Sequence, residues 1–227
     1  TCFKAYDIRG RVPDELDEEL AWRIGRAFAA EFSPRTVVVG HDVRLESPAL
    51  AEALARGLNA GGADVLDIGL CGTEEVYFHT FHRRADGGVM VTASHNPKGY
   101  NGMKLVRQDA APVSGDSGLD AIRRRVESGA WPEAGRVGRA ERDDDKSSYI
   151  RHLLGYVEQS ALRPLTLVAN PGNGGAGLVM RLLQRELPFR VAYLNETPDG
   201  NFPNGVPNPL LPENRAATAD EVLRQGA

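Results

Sequence analysis

Apolar residues recur along the chain with two alternating periods. Helical spacing of apolar residues predicts helices over residues 15–32, 47–60, 73–83 and 117–126. Short apolar runs predict strands over residues 36–39, 63–68 and 88–92. A polar loop is expected after the last of these strands. Strands that alternate with helices of this length are typical of α/β layers with a largely parallel sheet.

The pattern is interrupted between residues 129 and 147, where prolines, glycines and charges replace the periodic apolar positions. We interpret this stretch as a linker, which gives domains at residues 1–145 and 146–227. In the second half, helix, strand, helix, strand and a final helix are predicted, with a long Pro/Asn/Gly loop over residues 196–214. We expect two consecutive three-layer α/β/α domains with mixed, largely parallel sheets, the second incomplete at its C-terminus.

Composition narrows the functional classes. The 227 residues are 41% hydrophobic and 26% charged, which disfavours a disordered or membrane-spanning protein. The net charge of −4 provides no global basic field for nucleic acid. Two cysteines, Cys2 and Cys71, are too few for a disulfide framework or a four-thiolate zinc site. We therefore expect a cytoplasmic enzyme or binding protein without a nucleic-acid or membrane partner.

Candidate chemistry concentrates in the segment GGVMVTASHNPKGYNGMKLV at residues 87–106. A hydrophobic strand leads into a loop whose Ser94 falls just beyond the strand's carboxyl end, where open α/β sheets bind ligands. His95 beside it is a possible activator of the hydroxyl. Alternatively, the serine carries a phosphoryl group stabilised by Lys104 and backbone N–H groups. A purely structural polar turn is an equally good explanation of these residues on spacing alone.

The segment TASHNPKGYNGMK resembles the active-serine loop of the α-D-phosphohexomutases, the phosphomannomutase/phosphoglucomutase family. Four further segments stand in that family's order. They are FKAYDIRG at 3–10, GHDVR at 40–44, GTEEVYF at 72–78 and DGNFPNGVPNPLLPEN at 199–214. Together the segments extend over essentially the whole chain, and the loop is most similar to that of bacterial phosphomannomutases.

The resemblance implies a reaction and roles for particular residues. Ser94 is expected to exchange a phosphoryl group with a hexose monophosphate, through a phosphoserine enzyme and a bound hexose 1,6-bisphosphate that also acts as activator. Arg9 and Lys104 match the family's candidates for proton transfer or charge neutralisation, and Arg44 is expected either to brace the site or to form a structural salt bridge. The resemblance also implies contacts with the substrate or its phosphate at Tyr6, His95, Asn96 and Asn101.

The sequence departs from the family in its metal site. Family members hold Mg²⁺ between the phosphoserine and a DGDxDR loop, and no such loop occurs here. The run at residues 143–145 is not a substitute, because three adjacent carboxylates rarely converge on one ion. We therefore expect Ser94, through its phosphate, to be this chain's one magnesium ligand. We also expect residues 1–227 to be inactive alone, with C-terminal domains of the same polypeptide as partner and mannose or glucose phosphates as substrates.

Three alternatives stay open. The turn from Gly172 to Gly177 reads G-x-G-x-x-G between a predicted strand and helix, and Glu196 or Asp199 falls near the offset of a ribose-binding acid, which indicates a dinucleotide site. The same glycines equally permit close packing of helix on strand. A noncatalytic sugar-phosphate binding module is the second alternative, and a phosphatase that discharges a phosphoserine to water is the third.

Overall fold

The computed structural model describes residues 2–227, which divide into two compact units. The first unit ends at Asp144 and the second extends from Asp145 to Ala227. The first unit contains, in chain order, β1 (Ile8–Arg11), α1 (Glu18–Phe32), β2 (Thr36–His41), α2 (Ser47–Ala60), β3 (Asp64–Leu70), α3 (Thr73–His82), β4 (Gly87–Val91), β5 (Tyr100–Arg107), α4 (Leu119–Ser128) and β6 (Ala140–Arg142). Short 3₁₀ turns at Gln108–Ala110 and Gly115–Ser117 lie between β5 and α4.

The six strands of the first unit form one mixed sheet in the order β1-β5-β4-β2-β3-β6. Strands β4, β2, β3 and β6 pair in parallel with one another in that order, whereas β5 pairs antiparallel with both β4 and β1. The carboxyl ends of the parallel strands therefore share one edge of the sheet, and β5 returns the chain from that edge.

Helices cover both faces of this sheet. Apolar residues of α1, α2 and α4 pack with Val37, Val39 and other strand residues into the larger core. On the opposite face, Val76 of α3 packs with Val38 and Met90 into a smaller core. Successive residues of β2 thus point to opposite layers, as the period of a strand requires. The result is a three-layer α/β/α arrangement.

The second unit is also built from helices and parallel strands. It contains α5 (Ser147–Leu154), β7 (Thr166–Ala169), α6 (Ala176–Gln184), β8 (Arg190–Tyr193) and α7 (Ala216–Gln225), with 3₁₀ turns at Gln159–Ala161 and Pro212–Asn214. Strands β7 and β8 pair in parallel with Thr166 opposite Arg190. Within residues 2–227, no helix combines the length and apolar character that crossing a bilayer requires.

The expected α/β architecture with mixed sheets is confirmed, but three strands differ from the sequence prediction. Residues 129–147 are not simply a linker, because β6 within them pairs parallel with β3. All three β6 residues are exposed, and Arg142 anchors the strand through Asp67 at 2.8 Å, so no apolar pattern marks it. Strands β1 and β5 were also not predicted; the expected polar loop ends at Gly99, and β5 follows with buried Met103 and Leu105.

Helix α1 crosses α2 at a point where both present glycine. A Cβ added at Gly57 would lie 2.1 Å from the backbone oxygen of Trp22. Backbone cannot move away as a flexible side chain can, so the clash outweighs the gain of about 1 kcal/mol that alanine brings to a helix.

We expect Gly57→Ala to lower the free energy of unfolding of the first unit by about 1–3 kcal/mol in urea titration. Gly135→Ala is the matched control, since nothing lies within 4 Å of its added Cβ. Equal stability of the two variants would contradict this account of the crossing.

Candidate functional site

Ser94 lies in an exposed loop at the carboxyl edge of the parallel strands. Strand β4 is buried along its whole length, and Thr92 and Ala93 remain buried beyond it. Ser94 then emerges into solvent with φ of 53°, in the left-handed region. Its Oγ lies 3.2 Å from Nδ1 of His95, which is also exposed. The structure therefore presents the hydroxyl of Ser94 at the place where the sequence analysis expects it.

The shape of this loop is maintained from beneath by Arg44. The guanidinium of Arg44, at 2% exposure, donates four hydrogen bonds to backbone carbonyls of the loop. Nη2 donates to the oxygens of Ser94 at 2.9 Å and Asn96 at 2.5 Å. Nη1 donates to the oxygens of Pro97 at 2.8 Å and Tyr100 at 3.1 Å. One buried side chain thus fixes the direction of four peptide groups.

Asp42 compensates the buried charge of Arg44. Nε of Arg44 lies 3.4 Å from Oδ2 of Asp42. Burial lowers the pKa of the Arg44 guanidinium from its ordinary value, and the Asp42 carboxylate opposes that shift. Asp42 also accepts hydrogen bonds from the hydroxyls of Thr92 at 2.7 Å and Ser47 at 2.5 Å. The carboxylate is therefore the point where the loop, the end of β4 and the start of α2 meet.

Strand register brings Arg9 and Lys104 to the same face of the sheet. Arg9 on β1 lies opposite Gly102 on β5, and the N–H of Thr92 donates to the oxygen of Gly102 at 2.9 Å. Lys104 follows Gly102 by two residues, so it projects from the same face. The positive charge of Arg9 also contributes to the lowered pKa of Arg44. Both candidate cations thus stand on strands that border the Ser94 loop.

One terminal nitrogen of the Arg9 guanidinium is in an ion pair, and the other has no hydrogen-bond partner among the described residues. Its Nη2 forms an ion pair with Oδ2 of Asp7 at 2.7 Å. Its Nη1 is buried and has no hydrogen-bond partner among residues 2–227. A buried donor of this kind is costly unless a further acceptor satisfies it. The structure thus leaves Arg9 with capacity for an anionic group.

The four residues expected at the substrate occupy different surroundings. Tyr6 is 81% exposed on the segment before β1, and His95 stands beside Ser94. Asn96 is half-buried, and its N–H donates to the oxygen of Ala93 at 3.0 Å. Asn101 is fully buried beneath the loop, where its Nδ2 donates to Oγ of Ser47 at 2.8 Å. Tyr6, His95 and Asn96 are thus accessible to a ligand, while Asn101 faces the interior.

Acidic side chains do not converge on a cation site in the described part of the chain. Residues 2–227 contain no group of three or more His, Cys, Asp or Glu side chains placed to hold a metal ion. The acidic run is dispersed: Asp143 pairs with Arg83, Asp144 lies 3.4 Å from Arg142, and Asp145 accepts from the hydroxyl of Ser147. Each carboxylate of the run therefore has a local structural role.

The glycine-rich turn before α6 is covered by the long loop that follows β8. A Cβ added at Gly172 would lie 2.4 Å from Cβ of Pro207. Asn173, 6% exposed, donates through Nδ2 to the oxygen of Thr197 at 2.9 Å. Its Oδ1 accepts from Nδ2 of Asn204 at 3.0 Å. These contacts fill the space beside the backbone of the turn that a pyrophosphate would need.

The two acids proposed for a ribose are also engaged. Glu196 forms a two-pronged ion pair with Arg181, which holds the pKa of the Glu196 carboxyl below its ordinary value. Asp199 accepts from the N–H of Asn201 at 2.8 Å within the loop itself. The glycines of this turn therefore serve close packing, as the structural alternative expected.

Sequence reasoning did not identify the roles of Asp42, Ser47 and Thr92. Some of their hydrogen bonds, such as the one from Thr92 to Asp42, join positions 50 residues apart in the chain, so no local pattern reveals them. The one available signal was that Asp42 and Arg44 fall in the GHDVR segment directly after β2. A polar cluster at the carboxyl end of a buried strand indicates the functional edge of the sheet.

Comparison with known proteins identifies both units. Residues 1–133 match the family model described as phosphoglucomutase/phosphomannomutase, alpha/beta/alpha domain I, and residues 147–227 match domain II of the same family. A relative from Xanthomonas campestris pv. campestris described as phosphohexose mutases is 62% identical over 227 residues. It is matched over 100% of this chain and 50% of its own length. A phosphomannomutase from Salmonella typhimurium is 53% identical over 234 residues, covering 100% of this chain and 51% of the relative.

Solved structures give the same assignment. A phosphoglucomutase/phosphomannomutase family protein from Burkholderia thailandensis superposes with a TM-score of 0.92 at 36% identity. The match covers 100% of this chain and 50% of that structure. The chain spans about half the length of the curated relatives it matches.

The four carbonyl contacts of Arg44 predict the effect of a conservative substitution. Lysine has one nitrogen on a flexible stem and cannot reach four carbonyls, so Arg44→Lys leaves buried acceptors unpaired. We expect a loss of about 2–3 kcal/mol in the free energy of unfolding and faster tryptic cleavage after Lys98. Arg56→Lys is the matched control, because Arg56 is exposed and bonded only to Glu52 and near Glu18. Unchanged cleavage in Arg44→Lys would show that the hydrogen bonds from Arg44 do not hold the loop.

Proposed function

Because the chain belongs to the phosphoglucomutase/phosphomannomutase family, we propose that it carries the phosphoryl-transfer half of a mutase that interconverts hexose 6-phosphate and hexose 1-phosphate. The observation that carries this proposal is the exposed Ser94 hydroxyl at the carboxyl edge of the sheet, in a loop whose carbonyls are bound by the buried Arg44. The names of the relatives support phosphohexoses, and mannose phosphate first among them, as the substrate class.

Ser94 serves as the phosphoryl carrier in this proposal. A hydroxyl oxygen of the hexose monophosphate attacks the phosphorus of phosphorylated Ser94, the bond between phosphorus and Oγ breaks, and a hexose 1,6-bisphosphate forms. After the bisphosphate turns over, Oγ of Ser94 attacks its other phosphorus and releases the isomeric monophosphate. Each step exchanges one proton between an attacking hydroxyl and a leaving oxygen. Such transfers depend mainly on positioning and on stabilising the charge of the phosphoryl oxygens.

The surrounding side chains supply that positioning and charge. Arg9 and Lys104, on strands that border the loop, neutralise phosphoryl charge or move the proton, and the free Nη1 of Arg9 supports its assignment. His95, hydrogen-bonded to Oγ, supports the phosphoryl group. Tyr6 and Asn96 are accessible for contact with the sugar. The burial of Asn101 favours a role in supporting the loop from below over direct contact with the substrate.

A metal ion has a limited place in this proposal. Phosphohexomutases are generally metal-dependent, and we propose Mg²⁺, which would stabilise negative charge on the transferring phosphoryl group. Of the residues described, the phosphate of Ser94 alone would contact it, since residues 2–227 hold no carboxylate cluster of the required kind. The described donor set therefore does not make a magnesium site by itself, and the steps above use only this chain's own groups.

Replacement of Ser94 tests the proposed carrier. In the full-length polypeptide, Ser94→Ala removes the phosphoryl acceptor and is expected to lower mutase turnover by about 10³-fold or more. Incubation of wild type with hexose 1,6-bisphosphate followed by intact-mass measurement should show one added phosphoryl group, absent in Ser94→Ala. Ser128→Ala, at an exposed serine on α4, is the control and should behave as wild type.

Two results would contradict the mutase proposal. Near-normal turnover in Ser94→Ala would show that another group carries the phosphoryl group. Release of inorganic phosphate from mannose 1-phosphate by wild type, without formation of the 6-phosphate, would identify a phosphatase instead.

A further inference from the structure

We propose that Asp42 and Thr92 form a hydrogen-bonded relay that fixes the backbone of Ser94 for phosphoryl transfer, which makes both residues positioning residues. This inference rests on the mutase function proposed above and adds two residues that touch neither the sugar nor the phosphoryl group. The relay extends from the end of β2, through the end of β4, to the reactive serine.

The hydroxyl of Thr92 is the central link. Its Oγ1 donates to Oδ2 of Asp42 at 2.7 Å and accepts from the N–H of Ser94 at 2.9 Å. A hydroxyl has a single proton, so a carboxylate acceptor decides which way that proton points. With the proton directed at Asp42, a lone pair of Oγ1 faces the amide of Ser94. Thr92 is 4% exposed, so water does not replace either partner.

The relay acts on a strained residue. Ser94 has a φ of 53°, a region that residues with a Cβ adopt only when their surroundings enforce it. The bond from Thr92 holds the peptide that precedes Ser94, and Nη2 of Arg44 holds the carbonyl that follows it at 2.9 Å. The two peptide planes on either side of Ser94 are thus both fixed, and with them the direction of its Cα–Cβ bond.

The orientation of the second peptide has its own consequence. The C=O and N–H of a trans peptide point in opposite directions. Since the carbonyl of Ser94 points inward to Arg44, the N–H of His95 points away from the interior. That N–H has no hydrogen-bond partner among residues 2–227, so it is available to an oxygen of the phosphoryl group on Ser94.

Asp42 is itself held from the other side. Its Oδ1 accepts from Oγ of Ser47 at 2.5 Å and from the N–H of Arg44 at 3.0 Å. Oγ of Ser47 in turn accepts from Nδ2 of the fully buried Asn101 at 2.8 Å. Both oxygens of the carboxylate therefore accept hydrogen bonds. An amide at this position would have only one oxygen, and its NH₂ group would face the hydroxyl of either Thr92 or Ser47, each of which needs an acceptor.

Isosteric substitutions separate the relay from general folding effects. Thr92→Val keeps the shape of the side chain and removes the hydroxyl, whereas Thr92→Ser keeps the hydroxyl. Asp42→Asn keeps the shape and removes the second acceptor. Thr80→Val is the matched control, because Thr80 is also fully buried and its hydroxyl bonds only to the oxygen of Val76 on its own helix. All variants are made in the full-length polypeptide, and their unfolding is followed in urea.

The measurements are the rate at which Ser94 takes a phosphoryl group from hexose 1,6-bisphosphate, and kcat and KM for mannose 1-phosphate. We expect Thr92→Val and Asp42→Asn to lower the phosphorylation rate and kcat by about 10- to 100-fold, with KM within about twofold because neither residue touches the sugar. Thr92→Ser should restore kcat to within about threefold of wild type, and Thr80→Val should leave it unchanged.

The outcomes distinguish the relay from the function on which it rests. If wild type takes up no phosphoryl group at Ser94, both proposals are overturned. If wild type is phosphorylated and turns over, but folded Thr92→Val matches it in kcat, the relay alone is wrong. Equal losses in Thr92→Val and Thr80→Val would likewise assign the effect to stability and overturn the relay. If Asp42→Asn does not fold, the comparison of Thr92→Val with Thr92→Ser still decides.

Discussion

The buried guanidinium of Arg44 is the interaction on which the functional edge of the first unit depends. Removing a charge from water is costly unless each of its donors finds an acceptor. Four loop carbonyls accept hydrogen bonds from Nη1 and Nη2, and the Asp42 carboxylate forms an ion pair with Nε at 3.4 Å. The dependence is mutual. Most residues of the loop are exposed, and any conformation that turned these carbonyls outward would leave the charge buried without partners.

The topology of the sheet explains why this interaction forms where it does. Parallel strands β2 and β4 are neighbours, so the residues that follow them, Asp42 and Thr92, meet at one edge. The antiparallel return through β5 then brings Gly102 beside Thr92 and Arg9 beside Gly102. If β5 were parallel to β4, a longer crossover would have to connect the two strands. The cations that follow on β5 and β1 would then not lie next to the Ser94 loop. The mixed sheet is therefore part of the site, because it places two cations within three strands of the serine.

The sequence predicted those parts of the structure that depend on local pattern. Helices α1 and α2, strand β4 and the position of Ser94 follow from apolar spacing and from turn residues. Strand β6 escaped prediction because it is an exposed edge strand held by ion pairs of Arg136 and Arg142 with residues of β3. The Asp42–Thr92 contact escaped because it is a single hydrogen bond between distant positions, which leaves no periodic trace. Motif resemblance pointed to Ser94 as the proposed phosphoryl carrier, and only the structure located what holds it.

The two glycine-containing turns show why a motif must be judged by what lies against it. The Ser94 loop and the Gly172–Gly177 turn both follow the carboxyl end of a parallel strand, where ligands commonly bind. At the first, the polar groups of the loop turn inward to Arg44 and leave the serine exposed. At the second, Pro207 and the oxygen of Glu196 fill the space that the missing side chains create, with the Glu196 oxygen 2.8 Å from a Cβ added at Gly177. Glycine permits close approach at the second turn, whereas at the first nothing lies within 4 Å of a Cβ added at Gly99, so the two turns differ in what lies against them. A turn that packs against the chain's own backbone has a structural role, whereas a turn that faces solvent is open to a substrate.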